Sequence, residues 1–256
     1  MSAMASQQRS RKALGLWMNG HFVGTWSLEA GGDVLQYDSQ WVQSPQRRPL
    51  SLSLPFTPGN RPHKGNAVRF YFENLLPDSK DIRERVARRY QVGATDAYTL
   101  LREVGRDCVG ALQILPAGDE PPTDLRVQAE PMSDHDVAQR IRTLAQPGAL
   151  GDEGMADDFR ISIAGAQEKD ALLFWQGRWC RPLGATPTTH IFKLPLGLIG
   201  NLQLDMQHSV ENEWLCAQLL AAYGLPVAPC EILRFEDLKV LSVQRFDRRV
   251  WNGDTL

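Results

Sequence analysis

The chain contains little cysteine, and its positive and negative charges nearly balance. The 256 residues carry a formal net charge of −2, which excludes an overall electric field that would recruit nucleic acid or an acidic membrane. No Cys-x-x-Cys pair and no histidine and cysteine cluster with zinc-ligand spacing is present. We therefore expect small buried thiols in a reducing compartment, and neither disulfides nor a metal site. The 4 cysteines are Cys108, Cys180, Cys216 and Cys230.

The chain also has no long apolar run. A transmembrane helix needs roughly 18 or more consecutive apolar residues, and the sequence contains no such stretch. The apolar run after the polar residues 1–12 is too short for the core of a signal peptide. We therefore expect a cytoplasmic protein with no membrane partner. The composition, with 43% hydrophobic and 23% charged residues, is typical of a globular protein. The length of 256 residues predicts one or two domains.

The first half of the sequence predicts a β-hairpin followed mainly by helices. Apolar residues flank Asn19-Gly20, a pair that tolerates the positive φ of a tight turn, so a hairpin is predicted over 14–26. Strict alternation predicts a strand over 50–54, with its three leucines on one face. Capping residues and apolar periodicity predict a helix over 66–76, one capped by Asp78 or Ser79 that runs to Tyr90, one between Thr95 and Gly105, and one from Ser133 to about Leu144.

Two irregular stretches suggest the domain organisation. Residues 116–131 contain four prolines, and residues 146–158 are rich in glycine and acidic side chains. We place the domain boundary in the second of these stretches. The predicted organisation is a polar tail over 1–12, an N-terminal subdomain over 13–150 and a second part over 151–256.

The second half predicts a sheet that contains an unusual lysine. Two strands, over 159–163 and 171–175, flank a turn of small residues that ends in polar ones, and a further strand follows over 188–195. Lys193 lies among apolar residues of that last strand, where an ammonium group is costly to bury without a partner. The alternative interpretation is an edge-strand lysine that hinders aggregation.

A partner for Lys193 is predicted on the next helix. Ser209 is expected to cap a helix that runs to about Tyr223, and Glu213 borders its apolar stripe, which comprises Val210, Trp214, Ala217, Leu220 and Ala221. An inward-facing carboxylate on this helix and an inward-facing lysine on the preceding strand satisfy each other. Kinases use this arrangement: the lysine holds the α- and β-phosphates of the nucleotide, and the helix glutamate orients the lysine.

Two other segments have a functional interpretation if the chain has this kinase-like geometry. The small residues of the turn over 164–169 would let backbone N–H groups approach nucleotide phosphates. The apolar strand over 240–246 stands where a kinase hinge would follow, and a hinge pairs its backbone with adenine. Taken alone, the turn is weak evidence, since most turns of this kind are ordinary hairpins, and the strand fits one more core strand equally well.

Several motifs resemble one family along nearly the whole chain. The segments FRISIAGAQEK (159–169), TPTTHIFKLP (186–195), SVENEW (209–214) and VQRFDRR (243–249) resemble the HipA family of bacterial serine/threonine kinase toxins. The segments RPLSLSLP (48–55), FENLLPDS (72–79) and EVGRDCVGAL (103–112) resemble the N-terminal subdomain of that family. The resemblance implies an α+β fold: a β-hairpin and helix N-terminal subdomain, followed by a protein-kinase-like N-lobe with an antiparallel sheet and one αC-like helix.

The resemblance also implies roles for individual residues, with ATP and Mg²⁺ as cofactors. Ser162 matches the autophosphorylated serine, whose phosphorylation expels the glycine loop and inactivates the kinase. Lys193 matches the lysine that binds ATP, and Glu213 is its predicted orienting partner. The phosphate-covering loop matches Ala164, Gly165, Ala166, Gln167, Glu168 and Lys169, and the hinge matches Gln244, Arg245 and Phe246.

The implied reaction and partners follow from the family. The γ-phosphate of ATP is transferred to a serine of a translation component, typically an aminoacyl-tRNA synthetase. The usual partner is a HipB-like DNA-binding antitoxin, and DNA is approached only indirectly, through that antitoxin.

The sequence contains no His-x-Asp-x₄-Asn pattern, and few residues follow Phe246. Phosphoryl transfer needs an aspartate for the substrate hydroxyl and further groups for Mg²⁺, so we predict no catalytic and no metal-binding residue in this chain. The first hypothesis is therefore a kinase truncated after the hinge, without its C-lobe and inactive alone. The alternative hypothesis is a non-catalytic fragment that acts as an interaction module for an antitoxin or a kinase.

Overall fold

The computed structural model describes residues 13–122, 126–145, 167, 169–184, 186–199 and 204–248. These residues form two compact units, which divide near residues 124 and 125. Helices and antiparallel sheets are both present, as the sequence predicts. None of the helices within these ranges has the length and apolar character that crossing a membrane requires.

The first unit is built on a five-stranded sheet in the order β4-β3-β2-β1-β5. The predicted hairpin is confirmed: β1 and β2 are antiparallel, and Asn19 and Gly20 between them have positive φ angles of 49° and 76°. Trp26 of the sheet stacks on Phe72 of a helix, with ring centroids 3.7 Å apart. The strands are β1 (Ala13–Met18), β2 (His21–Glu29), β3 (Gly32–Tyr37), β4 (His63–Lys64) and β5 (Leu112–Pro116).

The described residues of the same unit form four α-helices: α1 (Ser39–Gln43), α2 (Asn66–Glu73), α3 (Lys80–Arg89) and α4 (Ala97–Val104). The three longer ones lie within the predicted ranges, and α3 begins after Ser79, whose hydroxyl accepts a hydrogen bond from the Ile82 N–H. Asp96, and not Thr95, caps α4, because its carboxylate accepts from both the backbone and the hydroxyl of Thr99.

The strand predicted over 50–54 is wrong. The Tyr37 hydroxyl accepts from the Leu50 N–H at 2.9 Å and donates to the Leu54 carbonyl at 2.6 Å, so the segment turns around this hydroxyl. Leu54 is fully buried, whereas Leu52 is 96% exposed. The alternating pattern therefore belongs to a turn, and Tyr37 of β3 holds both of its ends.

The second unit contains a six-stranded sheet in the order β12-β13-β9-β7-β8-β6 and a separate two-stranded sheet of β10 and β11. Within its described residues, the helices are α5 (Asp134–Ala145) and α6 (Ser209–Ala222). The strands are β6 (Ala129–Pro131), β7 (Lys169–Trp175), β8 (Arg178–Pro182), β9 (His190–Lys193), β10 (Gly197–Ile199), β11 (Leu204–Met206), β12 (Cys230–Phe235) and β13 (Leu238–Gln244).

The second unit begins earlier than the expected boundary near residue 150. Strand β6 pairs with β8, and helix α5 packs in the core of the second unit. An apolar helix face must be covered, and the large six-stranded sheet offers the surface that covers this one. The core consists of Val137, Ala138, Ile141, Leu172, Phe192, Leu194, Phe235 and Val240.

Helix α6 buries much less of its surface than its predicted stripe implies. Val210 is buried, but Trp214 and Leu220 of that stripe are exposed. Apolar residues lie on all sides of this helix, so a periodic pattern does not select one buried face. The exposed apolar side chains of α6 and the turn after it, which we call the α6 patch, are Trp214, Leu215, Leu219, Leu220, Tyr223 and Leu225.

A buried ion pair links α5 to the sheet and supplies a test of the fold. Arg140 donates to both carboxylate oxygens of Asp170, at 2.5 and 2.9 Å, and the exposed side-chain fractions are 7% and 0%. Asp170→Ala leaves a buried guanidinium without this carboxylate, which should lower the free energy of unfolding by about 3–5 kcal/mol. Urea unfolding measures the change. Asp237→Ala, at an exposed ion pair with Arg142, is the control; an equal loss of stability in both variants would contradict the prediction.

The α6 patch predicts self-association of the isolated chain, because its six large apolar side chains are exposed within one helix and the turn after it. We expect sedimentation to show assembly that increases with protein concentration, and the double variant Leu215→Glu/Leu219→Glu to reduce it. Leu52→Glu, at an equally apolar but isolated exposed position of the first unit, should leave assembly unchanged. A wild-type chain that stays monomeric across the concentration range would refute this prediction.

Candidate functional site

Lys193 occupies a central strand. Strand β9 lies between β13 and β7, with Lys193 opposite Leu241 on one side and opposite Lys169 on the other. The alternative of an edge-strand lysine is therefore wrong. Successive side chains of a strand point to opposite faces, so Phe192 enters the core under α5 while Lys193 faces the other side of the sheet.

Glu213 of α6 meets Lys193 on that side. The Lys193 Nζ donates to the Glu213 Oε1, so the predicted contact is present. The two side chains are 25% and 42% exposed, which leaves the pair within reach of solvent and of a ligand. The serine predicted to cap α6 has another partner: the Ser209 hydroxyl accepts from the Leu196 N–H at 3.0 Å and so connects the helix to the segment between β9 and β10.

A second ion pair connects α6 to the same sheet. Lys239 of β13 donates to Glu211, and this hydrogen bond lowers the pKa of the Glu211 carboxyl. Two lysines of the sheet thus hold two glutamates of one helix, and together they fix the helix at its first turns.

Lys169 is the cross-strand neighbour of Lys193. Cβ atoms of directly opposed residues lie about 5 Å apart, and like charges at such positions repel each other. A polyanion that contacts both ammonium groups would interact with two positive charges at once. The register therefore places two positive side chains, one of them oriented by a carboxylate, where a chain of phosphates could bind.

Besides Lys169, the structure describes one residue of the turn over 164–169, which is Gln167. The Gln167 side-chain amide donates to the Leu194 carbonyl at 2.6 Å, which joins the end of the turn to the end of β9. The other predicted residues of this region lie outside the described residues: Ser162, Ala164, Gly165, Ala166 and Glu168.

The predicted hinge residues have three different environments. Gln244 ends β13 and donates its N–H to the Pro229 carbonyl at 2.9 Å. Arg245 donates its N–H to the Thr189 carbonyl at 2.8 Å, and its side chain is only 4% exposed. Phe246 is 86% exposed. Of the three side chains, Arg245 is turned into the protein and Phe246 is open to a ligand.

Sequence reasoning missed two residues that contact Arg245. Its guanidinium donates to both carboxylate oxygens of Asp247, at 3.0 and 2.9 Å, and to the Thr188 hydroxyl at 2.9 Å. The Arg-x-Asp spacing at the end of a strand could have suggested the first contact. The second joins residues far apart in sequence, and no local pattern predicts it.

The electrostatic effect of the Lys193 pair reaches a neighbouring thiol. Burial raises the pKa of Cys230, the negative charge of Glu213 raises it further, and Lys193 opposes the increase. Within the described ranges, no group of three or more histidine, cysteine, aspartate or glutamate side chains could hold a metal ion.

Comparisons with protein-family models match both halves of the chain. A model described as the HipA N-terminal domain matches residues 14–115, and one described as the HipA-like C-terminal domain matches residues 161–255. The two matches together extend over most of the sequence.

Curated and solved proteins give similar results. A putative kinase, Y4mE of Sinorhizobium fredii, is 32% identical over 247 residues, which cover 93% of this chain and 54% of that protein. The serine/threonine-protein kinase toxin HipA of Shewanella oneidensis is 29% identical over 234 residues, covering 91% and 49%. The chain therefore spans about half the length of the curated relatives it matches.

A solved structure shares the fold. It is the complex of HipA, HipB and operator DNA from Shewanella oneidensis MR-1, with a TM-score of 0.70 and 28% identity. The match covers 94% of this chain and 52% of that one.

The Lys193–Glu213 contact predicts a small energetic coupling. In a double-mutant cycle of Lys193→Met and Glu213→Gln, we expect a coupling of about 1 kcal/mol or less in the free energy of unfolding, since both groups are partly exposed. Urea denaturation of the four proteins measures it. The Lys239→Met and Glu211→Gln cycle, at the neighbouring ion pair of the same helix, should give a similar value. A coupling of several kcal/mol would show that the Lys193 pair is a core element of stability, contrary to this prediction.

Proposed function

The chain belongs to the HipA family, and on that premise we propose that its second unit is the ATP-binding N-lobe of a serine/threonine kinase of a toxin–antitoxin system. The observation that carries the proposal is the Lys193–Glu213 ion pair on a central strand with Lys169 directly opposite. Kinases use such a lysine to hold the α- and β-phosphates and such a glutamate to orient it.

We assign the phosphates and the adenine of the nucleotide to different groups of this unit. Lys193, Lys169 and the turn from Ala164 to Lys169 bind the phosphates. The main chain of the hinge, Gln244 to Phe246, meets the adenine. Two hinge N–H groups already donate to Pro229 and Thr189, so the Phe246 backbone and its exposed ring are the groups that contact the base.

Each group contributes to binding in a definite way. Glu213 accepts a hydrogen bond from the Lys193 ammonium and so keeps it extended across the sheet toward the phosphates. Charge-assisted hydrogen bonds of this kind are stronger than neutral ones. When bound with the nucleotide, Mg²⁺ neutralises phosphate charge during transfer. None of the described residues forms a carboxylate cluster for it, and we assign neither a metal ligand nor the base for the substrate hydroxyl to them.

Regulation and partners complete the proposal. Ser162 is the site of autophosphorylation, which would displace the turn that covers the phosphates. The substrate is a serine of a translation component of the aminoacyl-tRNA synthetase class. A HipB-like antitoxin is the partner, supported by the solved HipA–HipB–operator DNA complex whose HipA fold this chain shares. Contact with DNA is then indirect, and the setting is cytoplasmic.

A second candidate function rests on the α6 patch. Its exposed apolar side chains suit a protein partner better than a small ligand. In this alternative the chain is a non-catalytic interaction module that binds an antitoxin or a kinase. Retention of partner binding in Lys193→Met, with loss of it in Leu215→Glu/Leu219→Glu, would favour the module.

Nucleotide binding tests the principal proposal. In an NMR titration of the 256-residue chain with Mg-ATP, we expect saturable shifts and a dissociation constant on the order of 0.1–1 mM, a weak affinity because the described half of the cleft buries only part of the nucleotide. We expect negligible phosphoryl transfer to Ser162. Lys193→Met should abolish the shifts, and Lys239→Met, which breaks the neighbouring ion pair of α6, should retain them. No binding to the wild type, or unchanged binding to Lys193→Met, would refute the proposal.

A further inference from the structure

Arg245 forms a buried network at the exit of β13, together with Asp247 and Thr188. The guanidinium contacts the two carboxylate oxygens of Asp247 in parallel and also donates to the Thr188 hydroxyl. Thr188 is 2% exposed, and the side chains of Arg245 and Asp247 are also almost completely buried. Arg248 donates to the same carboxylate at 3.1 Å. We call Arg245, Asp247 and Thr188 the Arg245 network.

The network lies between the two strands that carry the proposed nucleotide contacts. Residues 188 and 189 lead directly into β9, which carries Lys193, and Arg245 leads out of β13 toward Phe246. The Arg245 N–H donates to the Thr189 carbonyl at 2.8 Å, so main chain and side chain both join these segments. The Thr189 hydroxyl in turn accepts from the Phe174 N–H of β7 at 2.7 Å.

A bidentate arginine–carboxylate pair fixes orientation as well as distance, because two parallel hydrogen bonds define the plane of both groups. In this network the carboxylate is two residues beyond the arginine, so Phe246 stands between the two paired residues. The main chain at Phe246 is thereby held in one path. Its neighbours on both sides cannot move without breaking buried, charged hydrogen bonds, which are costly to lose.

We propose that Arg245, Asp247 and Thr188 are positioning residues that set where the Phe246 main chain meets the nucleotide base relative to Lys193, which meets the phosphates. The Arg245 side chain is held inside this network and does not touch the nucleotide. This inference rests on the proposed function and deepens it. The network determines where the main chain meets the base, and the lysines contact the phosphates.

The test compares two ligands that share phosphates but differ in the base. Mg-ATP and inorganic tripolyphosphate are each titrated into the full chain and followed by NMR. Arg245→Lys keeps the positive charge and loses the bidentate geometry. We expect it to weaken ATP binding about tenfold, as the loss of a charged hydrogen bond does, and to leave tripolyphosphate binding unchanged. Lys193→Met should weaken both ligands, and Arg234→Lys, at an exposed arginine of β12, should weaken neither.

A milder variant keeps the test valid if Arg245→Lys does not fold. Thr188→Val removes one acceptor of Arg245 and retains a side chain of similar volume, and it should also weaken ATP selectively. Equal ATP affinity in the wild type and in the folded network variants would overturn the inference, as would parallel loss of both ligands. A wild type that binds no ATP would overturn the proposed function itself, and this inference with it.

Discussion

The pleat of strand β9 is the constraint on which the second unit depends. Adjacent side chains of a strand point to opposite faces of the sheet, so Phe192 and Lys193 lie in different environments. Phe192 joins the apolar core beneath α5, and Lys193 meets Glu213 of α6. Because ladders on both sides fix the register of this strand, a slip by one residue would place the ammonium group in the apolar core. One face of the sheet therefore packs against α5, and the other face meets α6.

Four ion pairs of the second unit divide by burial into two kinds. The pairs Arg140–Asp170 and Arg245–Asp247 are almost completely buried, and they involve β7 and the segment that follows β13. The pairs of α6, Lys193–Glu213 and Lys239–Glu211, remain partly exposed. Buried pairs are costly to break, and exposed ones are worth little in stability. The charges of the α6 pairs thus stay within reach of solvent, whereas those of the other two pairs do not.

The candidate site could be predicted in part from residue types and spacing. A lysine within an apolar strand and a glutamate beside the apolar stripe of the next helix are local features, and their contact follows from the order of elements. The neighbour of Lys193 across the ladder, Lys169, depends on register, which no local pattern specifies. The contact of Arg245 with Thr188 joins residues on different segments of the chain, and it is the observation behind our proposal that Arg245 positions the main chain.

The sequence by itself determined the hairpin at Asn19-Gly20, most helix positions and the pairing of Lys193 with Glu213, because turn chemistry, capping and the cost of an unpaired ammonium group act over short distances. Only the tertiary structure decided which elements share a core. It assigned α5 to the second unit, folded residues 50–54 around the Tyr37 hydroxyl and left most of α6 exposed. In each of these cases the deciding partner lies on another element, and burial depends on what covers a surface as well as on the surface itself.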